Sequence, residues 1–302
     1  MFLASADPFH HVRDFDHFEL LGGVNLYLPQ FHIPLYGDFQ VTKFMVLQVV
    51  ALVLAFVIFK GLAKRLSSGG VTKGRFWNFW ESIAMFVRDA VVRPTIGDGH
   101  HGHDDHGHDD GHGSHGHDDG QPASRHYADQ FLPFLWSCFF FILFCNLLGA
   151  IPMMGSPTGS LMVTGVLAAF AFGFNLLQGF RQFGFVGFWK NQCPDLGLSG
   201  GMAIGIGGGI WFIEVFGLFI KHGVLAVRLF ANIMGGHTVV GVILSFIAVD
   251  SIVGTWLHGL VIPASIGGQV FIGLLELFVS FLQAYVFTFL ATIFLSACLH
   301  EH

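Results

Sequence analysis

GGMAIGIGGGIWFIEVFGLFIKHGVLAVRLFANIMGGHTVVGVILSFIAV, residues 200–249, is an apolar run more than twice as long as the stretch that crosses a bilayer, which takes about 20 helical residues. Its charged or strongly polar side chains are few: Glu214, Lys221, His222, Arg228, Asn232 and His237. Glu214, Lys221 and Arg228 follow one another at intervals of seven, and at about 100° per residue each step displaces the side chain by only about 20°. Asn232 comes one turn after Arg228, so these four form one polar stripe. His237 falls about 180° away from Arg228 on an ideal helix and opens a second polar path on the other side. An arginine in the middle of a membrane costs at least about 2.5 to 3.5 kcal/mol on insertion scales, which makes it a functional-site candidate. Burial cannot readily neutralise it.

The composition agrees: 53% of the 302 residues are hydrophobic, 36 are Phe and only 11% are charged, against about 25% in soluble domains. Further apolar stretches cover 44–59, which is slightly short, 131–154, 158–180 and 251–299. The fold expected is an all-α polytopic membrane protein of about five membrane-crossing helices. Residues 251–299 repeat the economy of 200–249, since their main polar side chains are His258, Gln269, Glu276 and Gln283, all within about 20° of one helical face. Two facing polar stripes among so many Phe, Leu, Val and Ile residues imply water or protons between them. Plainer readings exist for the remainder. Lys221 can snorkel to an interface, His222 and His258 read as interfacial or packing residues, and Gln269 as a helix–helix hydrogen bonder.

Basic residues orient the chain. Lys60, Lys64, Arg65, Lys73, Arg75, Arg88, Arg93 and Arg125 follow the first span, whereas only Arg13 and Lys43 precede it. By the positive-inside rule residues 1–42 lie outside and the following segment in the cytoplasm. The uncharged 153–160 connection fits the outside. Arg181 and Lys190 fall in a loop that fits the inside, and five crossings leave the C-terminal LHEH cytoplasmic. The N-terminus lacks the basic and apolar regions of a cleaved signal. Within the segment 43–96, RFWNFWESIAMFVRDAVV (75–92) places Phe76, Trp77, Trp80, Ile83, Ala84 and Val87 on one helical stripe. That pattern predicts an amphipathic helix in the interface plane or packed on another subunit or domain.

The insert at 97–126 contains GDGHHGHDDHGHDDGHGSHGHDDG, with eight His, seven Asp and eight Gly and no apolar residue. It cannot bury a core and is expected to be disordered. It also accounts for the acidity of the chain, whose net charge is −6. His100, His101, His103, His106, His108, His112, His115 and His117 are candidate ligands for adventitious metal, and the expected role is a solvated spacer. Cys138, Cys145, Cys193 and Cys298 show no CxxC pairing and read as apolar packing residues. No basic patch with interleaved aromatics points to nucleic acid. No GxxxxGK[ST] loop points to nucleotide chemistry on this chain, and no cofactor is implied.

RLFANIMGGH (228–237), preceded by Glu214 and Lys221 and followed by ELFVSFLQAYVFTFLATIFLS (276–296) with a His/Glu-rich tail, resembles subunit a of the F-type rotary ATP synthase. The resemblance runs from about residue 43 to the end, apart from the insert, and is most specific over 214–232 and 276–283. It implies that Arg228 is the essential arginine facing a rotating ring of c subunits, that Asn232 and Gln283 are its polar neighbours, and that Glu214 belongs to the cytoplasmic half-channel. Family members commonly carry Glu and His where this chain has His237 and Glu276; the exchange resembles the mitochondrial arrangement and keeps an acid/imidazole pair for the outer half-channel. The resemblance further implies that residues 200–300 form a steeply tilted hairpin. Partners implied are the c-ring, b-type peripheral stalk subunits, membrane lipids and, indirectly, the F1 sector, in a bacterial inner membrane. Such a chain is non-catalytic by itself.

The main alternative is a divalent-cation (zinc) transporter with a His-rich cytoplasmic loop. Such a carrier needs His and Asp ligands about one helical turn apart within its spans, and no HxxxD or DxxxH pair occurs there.

Overall fold

The computed structural model describes residues 14–20, 24–33, 37–66, 74–97, 126–151, 155–191, 201–253 and 258–299. The chain is an all-α polytopic membrane protein to which two short antiparallel hairpins are added at the N-terminal end. These pair β1 (His17–Leu20) with β2 (Val24–Tyr27) and β3 (Gln30–Ile33) with β4 (Gly37–Gln40). Among the described residues five helices are long and apolar enough to cross a membrane.

The first, α1 (Lys43–Leu66), outruns the apolar stretch 44–59 and carries Lys64 and Arg65 in its last turn, where cations complement the helix dipole. Its opening turn is anchored from outside: the Asp14 carboxylate accepts from Phe44 N–H at 3.1 Å, and Lys43 N–H donates to the Phe15 carbonyl at 2.9 Å. Two N–H groups that a helix start leaves orphaned are thereby satisfied.

The amphipathic segment forms α2 (Arg75–Phe86), a π-helical stretch Val87–Val92 and α3 (Arg93–Ile96). Ile83, Ala84 and Val87 are buried as the stripe predicted, but Phe76 is exposed and the buried face continues through Val91, Val92 and Ile96. The wider i→i+5 turn rotates later residues onto the core. This face packs on the chain itself. Trp80 stacks among Phe140 and Phe144, Trp136 Nε1 donates to the Ala84 carbonyl at 2.9 Å, and Trp77 lies in the space that any side chain on Gly61 would occupy. Arg65 rests 4.6 Å from the Trp77 ring as a cation–π contact.

Helix α4 (Leu132–Gly149) is the most buried of the five spans. It packs against α1 and α7, with Leu135, Phe139, Ile142 and Cys145 sealed from solvent.

Helix α5 (Leu161–Asn191) corrects one expectation. Arg181 and Lys190 were placed in a loop, whereas both lie in helical segments separated by Gly184 at φ 72°. Only glycine enters that left-handed region without steric cost, so the chain turns sharply and resumes helix. The returning segment lays Phe188 on Gly179 and edge-on to Phe180, 5.0 Å between ring centroids.

Helices α6 (Gly201–Val253) and α7 (His258–Leu299) are each continuous and pack against one another, where hydropathy alone allowed four shorter spans. At 1.5 Å per residue α6 is about 80 Å long, against a hydrocarbon core of about 30 Å, so it cannot stand upright within it. Pro263 sits near the start of α7, where it interrupts few helix bonds.

Residues 98–125, with the predicted disorder and all eight candidate metal-ligating histidines, lie outside the described residues. Their flanks are clamped together. Arg93 Nε and Nη2 donate to the two carboxylate oxygens of Asp129 at 3.1 and 2.9 Å, and Ser296 Oγ on α7 donates to the Thr95 carbonyl at 2.9 Å. Nearby, Arg88 Nε donates to Asp89 at 2.7 Å, and this hydrogen bond holds the exposed Asp89 carboxyl below the usual carboxylate range.

The clamp is half-exposed, so its worth is modest. Thermal unfolding of the solubilised chain with Arg93→Ala, Asp129→Ala and both together is expected to give a coupling energy of about 0.5–1 kcal/mol. A coupling near zero would show that the two flanks are held by packing alone.

Candidate functional site

Of the stripe predicted on α6, Glu214, Lys221 and Arg228 face outward and only Asn232 turns toward α7. Lys221 Nζ donates to Glu214 Oε1 at 3.4 Å, one partner 44% and the other 42% exposed. Arg228, one further heptad along, is exposed amid apolar neighbours. It lines an open hollow of about 440 Å³ with Ile220, Gly223, Val224, Val227 and Ala231. Among the described residues no acidic side chain pairs with it.

On the adjoining side a second hollow, of about 280 Å³, lies between α6 and α7. Asn232, Gly235 and Gly236 line it from α6, and Glu276 with Ile272, Leu275 and Val279 from α7. Ala231 borders both hollows, so the space at Arg228 adjoins that at Glu276 there. Gly236 makes the close approach possible: a Cβ there would stand 3.2 Å from Glu276 Oε1. His237 is the next residue, half-buried at the same level of α6. The structure thus brings Asn232, Glu276 and the backbone beside His237 together. Glu214 lies fourteen residues before Arg228, about 21 Å along an ideal helix, and belongs to a separate region.

Gln283 is buried two turns beyond Glu276, and Ser280 lies between them fully buried. Glu276 Oε1, Ser280 Oγ and Gln283 Nε2 are buried atoms with no hydrogen-bond partner among the described residues. They form a polar file up one side of α7.

A neighbouring network escaped the sequence reading. Asn146, fully buried in α4, accepts from Thr158 Oγ1 at 2.8 Å and donates to the Ser280 carbonyl at 3.5 Å, while Ser156 and Thr158 share a 2.8 Å hydroxyl contact. Ser156, Pro157, Thr158 and Gly159, taken from sequence as an external connection or the start of a span, are folded inward and buried. Gly149 makes room, because any side chain there would collide with Ser156. The available signal was Asn146 itself, the lone amide in an eighteen-residue apolar helix. His222 is a packing residue as expected. It is 4% exposed, lies between Phe172 and Phe294, makes a 2.9 Å contact with the Leu218 carbonyl and sits 3.4 Å from Asn175 Nδ2.

The sequence profile described as ATP synthase A chain matches residues 121–296. The chain is 32% identical over 294 residues to ATP synthase subunit a 2 of Chlorobaculum tepidum, covering 95% of this chain and 70% of that one. It is 31% identical over 303 residues to ATP synthase subunit a of Chloroherpeton thalassium, covering 98% and 77%, and 32% identical over 268 residues to that of Myxococcus xanthus, covering 88% and 76%. The chain belongs to the ATP synthase A chain family.

The family match spans Glu214, Arg228, Asn232, His237, Glu276 and Gln283, together with Asn146, Thr158 and Ser280, and leaves out the His-rich stretch before residue 121. Among the described residues no three His, Cys, Asp or Glu side chains gather as metal ligands, and the family shown is that of the ATP synthase A chain, not of a metal carrier.

Asn146→Leu removes one acceptor and one donor from a sealed network. It is expected to lower stability by about 1–3 kcal/mol in thermal unfolding of the solubilised complex, whereas Ser137→Ala, whose hydroxyl only back-bonds to the Pro133 carbonyl, leaves it nearly unchanged. Equal effects of the two variants would strip the network of that importance.

Proposed function

We propose that this chain is the proton-translocating stator subunit of the Fo sector of an ATP synthase in a bacterial plasma membrane. The observation that carries the reading is Arg228: a guanidinium exposed on an apolar helix face, beside an open hollow and without a carboxylate partner among the described residues. A charge so placed calls for an acidic group from another chain, and a ring of small membrane subunits each bearing one carboxylate supplies it.

In this reading protons enter from outside through a polar path and reach His237 and Glu276. The Glu276–Ser280–Gln283 file supplies its polar lining, and the Gly236 approach sets Glu276 against α6. An imidazole and a carboxylate suit proton exchange near neutral pH. The proton passes to a ring carboxylate, which becomes neutral and can face lipid. After nearly a full turn the same carboxylate meets Arg228 from the opposite side, and the fixed positive charge favours its ionised form. The proton then leaves along the Glu214 side to the cytoplasm. Arg228 relays nothing, because it stays charged. Its field instead blocks direct passage from the His237–Glu276 path to the Glu214 path, so current requires rotation. Asn232 and Gln283 are polar neighbours that steady the guanidinium. The driving force is about 2.3 kcal/mol per charge per 100 mV, and ATP chemistry takes place on other subunits of the F1 sector. The b-type stalk subunits hold this chain against the torque.

Arg228→Ala should abolish proton-driven ATP synthesis in membrane vesicles while the complex still assembles. Near-normal coupled synthesis in that variant would sink the assignment. His237→Ala and Glu276→Ala should each slow coupled proton uptake by about 10²-fold or more, the usual scale for removing a positioned proton-transfer group. A variant with unchanged coupled flux would mark its residue as packing only.

A further inference from the structure

One apolar space in the described residues lies away from the proton path. It is a groove of about 610 Å³ between α1 and α4, lined by Leu52, Val53, Phe56, Phe59, Trp136 and Phe141 among others. Its polar groups make no demand on a ligand, since Trp136 Nε1 is bound to the Ala84 carbonyl and Ser137 Oγ to that of Pro133. Whatever fills it is apolar along its whole length. One end is cationic. Phe56, a lining residue, is followed one turn later by Lys60, whose Nζ stands 5.8 Å from the Phe56 ring centroid, and Lys64 extends the same row on α1.

We propose that this groove is a binding site for an anionic phospholipid, with one acyl chain lying between α1 and α4 and the phosphate held at Lys60 and Lys64. Two observations favour a lipid over a transmembrane helix of a partner. Helices approach one another in membranes through small residues, whereas this lining is mostly Phe, Trp, Leu, Val and Pro133, with Ala55 and Ser137 its two small members. A helix would also leave the lysine row facing hydrocarbon, while a phosphate headgroup neutralises it at the interface.

The test uses the intact complex in phosphatidylcholine vesicles containing a diazirine-bearing phosphatidylglycerol. After illumination, adducts should concentrate on peptides carrying residues 52–59 and 133–141, relative to the outward face of α5 at Met162, Val166 and Phe170, which are equally open to lipid. Lys60→Glu should reduce groove labelling at least about fivefold, the scale of one basic residue near anionic lipid, and leave α5 labelling unchanged. Ser137→Phe, which keeps the charges and fills the groove, should reduce it as well. Equal labelling of groove and α5, no response to either variant, or equal labelling by a zwitterionic diazirine phosphatidylcholine would overturn the proposal. So would capture of another polypeptide by a benzoylphenylalanine placed at Val53.

Discussion

Hydrocarbon offers no hydrogen bonds, so each polar group within the membrane must find its partner in protein. This chain meets the demand in two ways. Around α4 the partners are internal: Asn146, Thr158, Ser156 and the Ser280 carbonyl satisfy one another in a sealed network. On α6 they are not. Lys221 and Glu214 hold each other on an exposed face, and Arg228 stands beyond them with no such companion among the described residues. The first arrangement fixes helices in place; the second directs a charge toward something outside the chain.

The close packing of α6 and α7 follows from what lies between these two regimes. Gly236 brings α6 against Glu276, and Ala231 lines both the hollow at Glu276 and that at Arg228. A large side chain at either position would widen or fill the gap between a titratable carboxylate and a fixed cation. Two hollows that adjoin at Ala231 suit the proposed gate, since a carrier can visit each in turn. That geometry is the physical content of the proposed coupling between proton flow and rotation.

The long polar stripes were legible in the sequence because helical periodicity exposes them. Glu214, Lys221 and Arg228, or Glu276 and Gln283, fall on one face by counting alone, and the structure keeps both sets on single continuous helices. Other features leave no periodic trace. Ser156, Thr158 and Ser280 are small hydroxyls that resemble any others in an apolar run until folding brings them to Asn146. Gly184 could not be told from thirty-nine other glycines, and only its positive φ turns a predicted loop into a folded-back helix. The Arg93–Asp129 clamp joins residues thirty-six apart across the insert. Such a pair is invisible to any local pattern, yet it ties together the two described flanks of the insert.

The outward hollow at Arg228 and the α1–α4 groove differ in side-chain size. Beside Arg228 the exposed surface of α6 is made of Gly223, Val224, Val227, Ala231 and Gly235, with open space around both glycines. Gly223, Ala231 and Gly235 are small residues that let another helix backbone come near, which suits a surface proposed to slide. The α1–α4 groove presents Phe56, Phe59, Trp136 and Phe141 instead, a lining of large side chains that suits the proposed acyl chain. Side-chain size therefore separates the face read as meeting the rotor from the face read as held in lipid. The arginine lies on the smooth one, where a passing carboxylate can reach it.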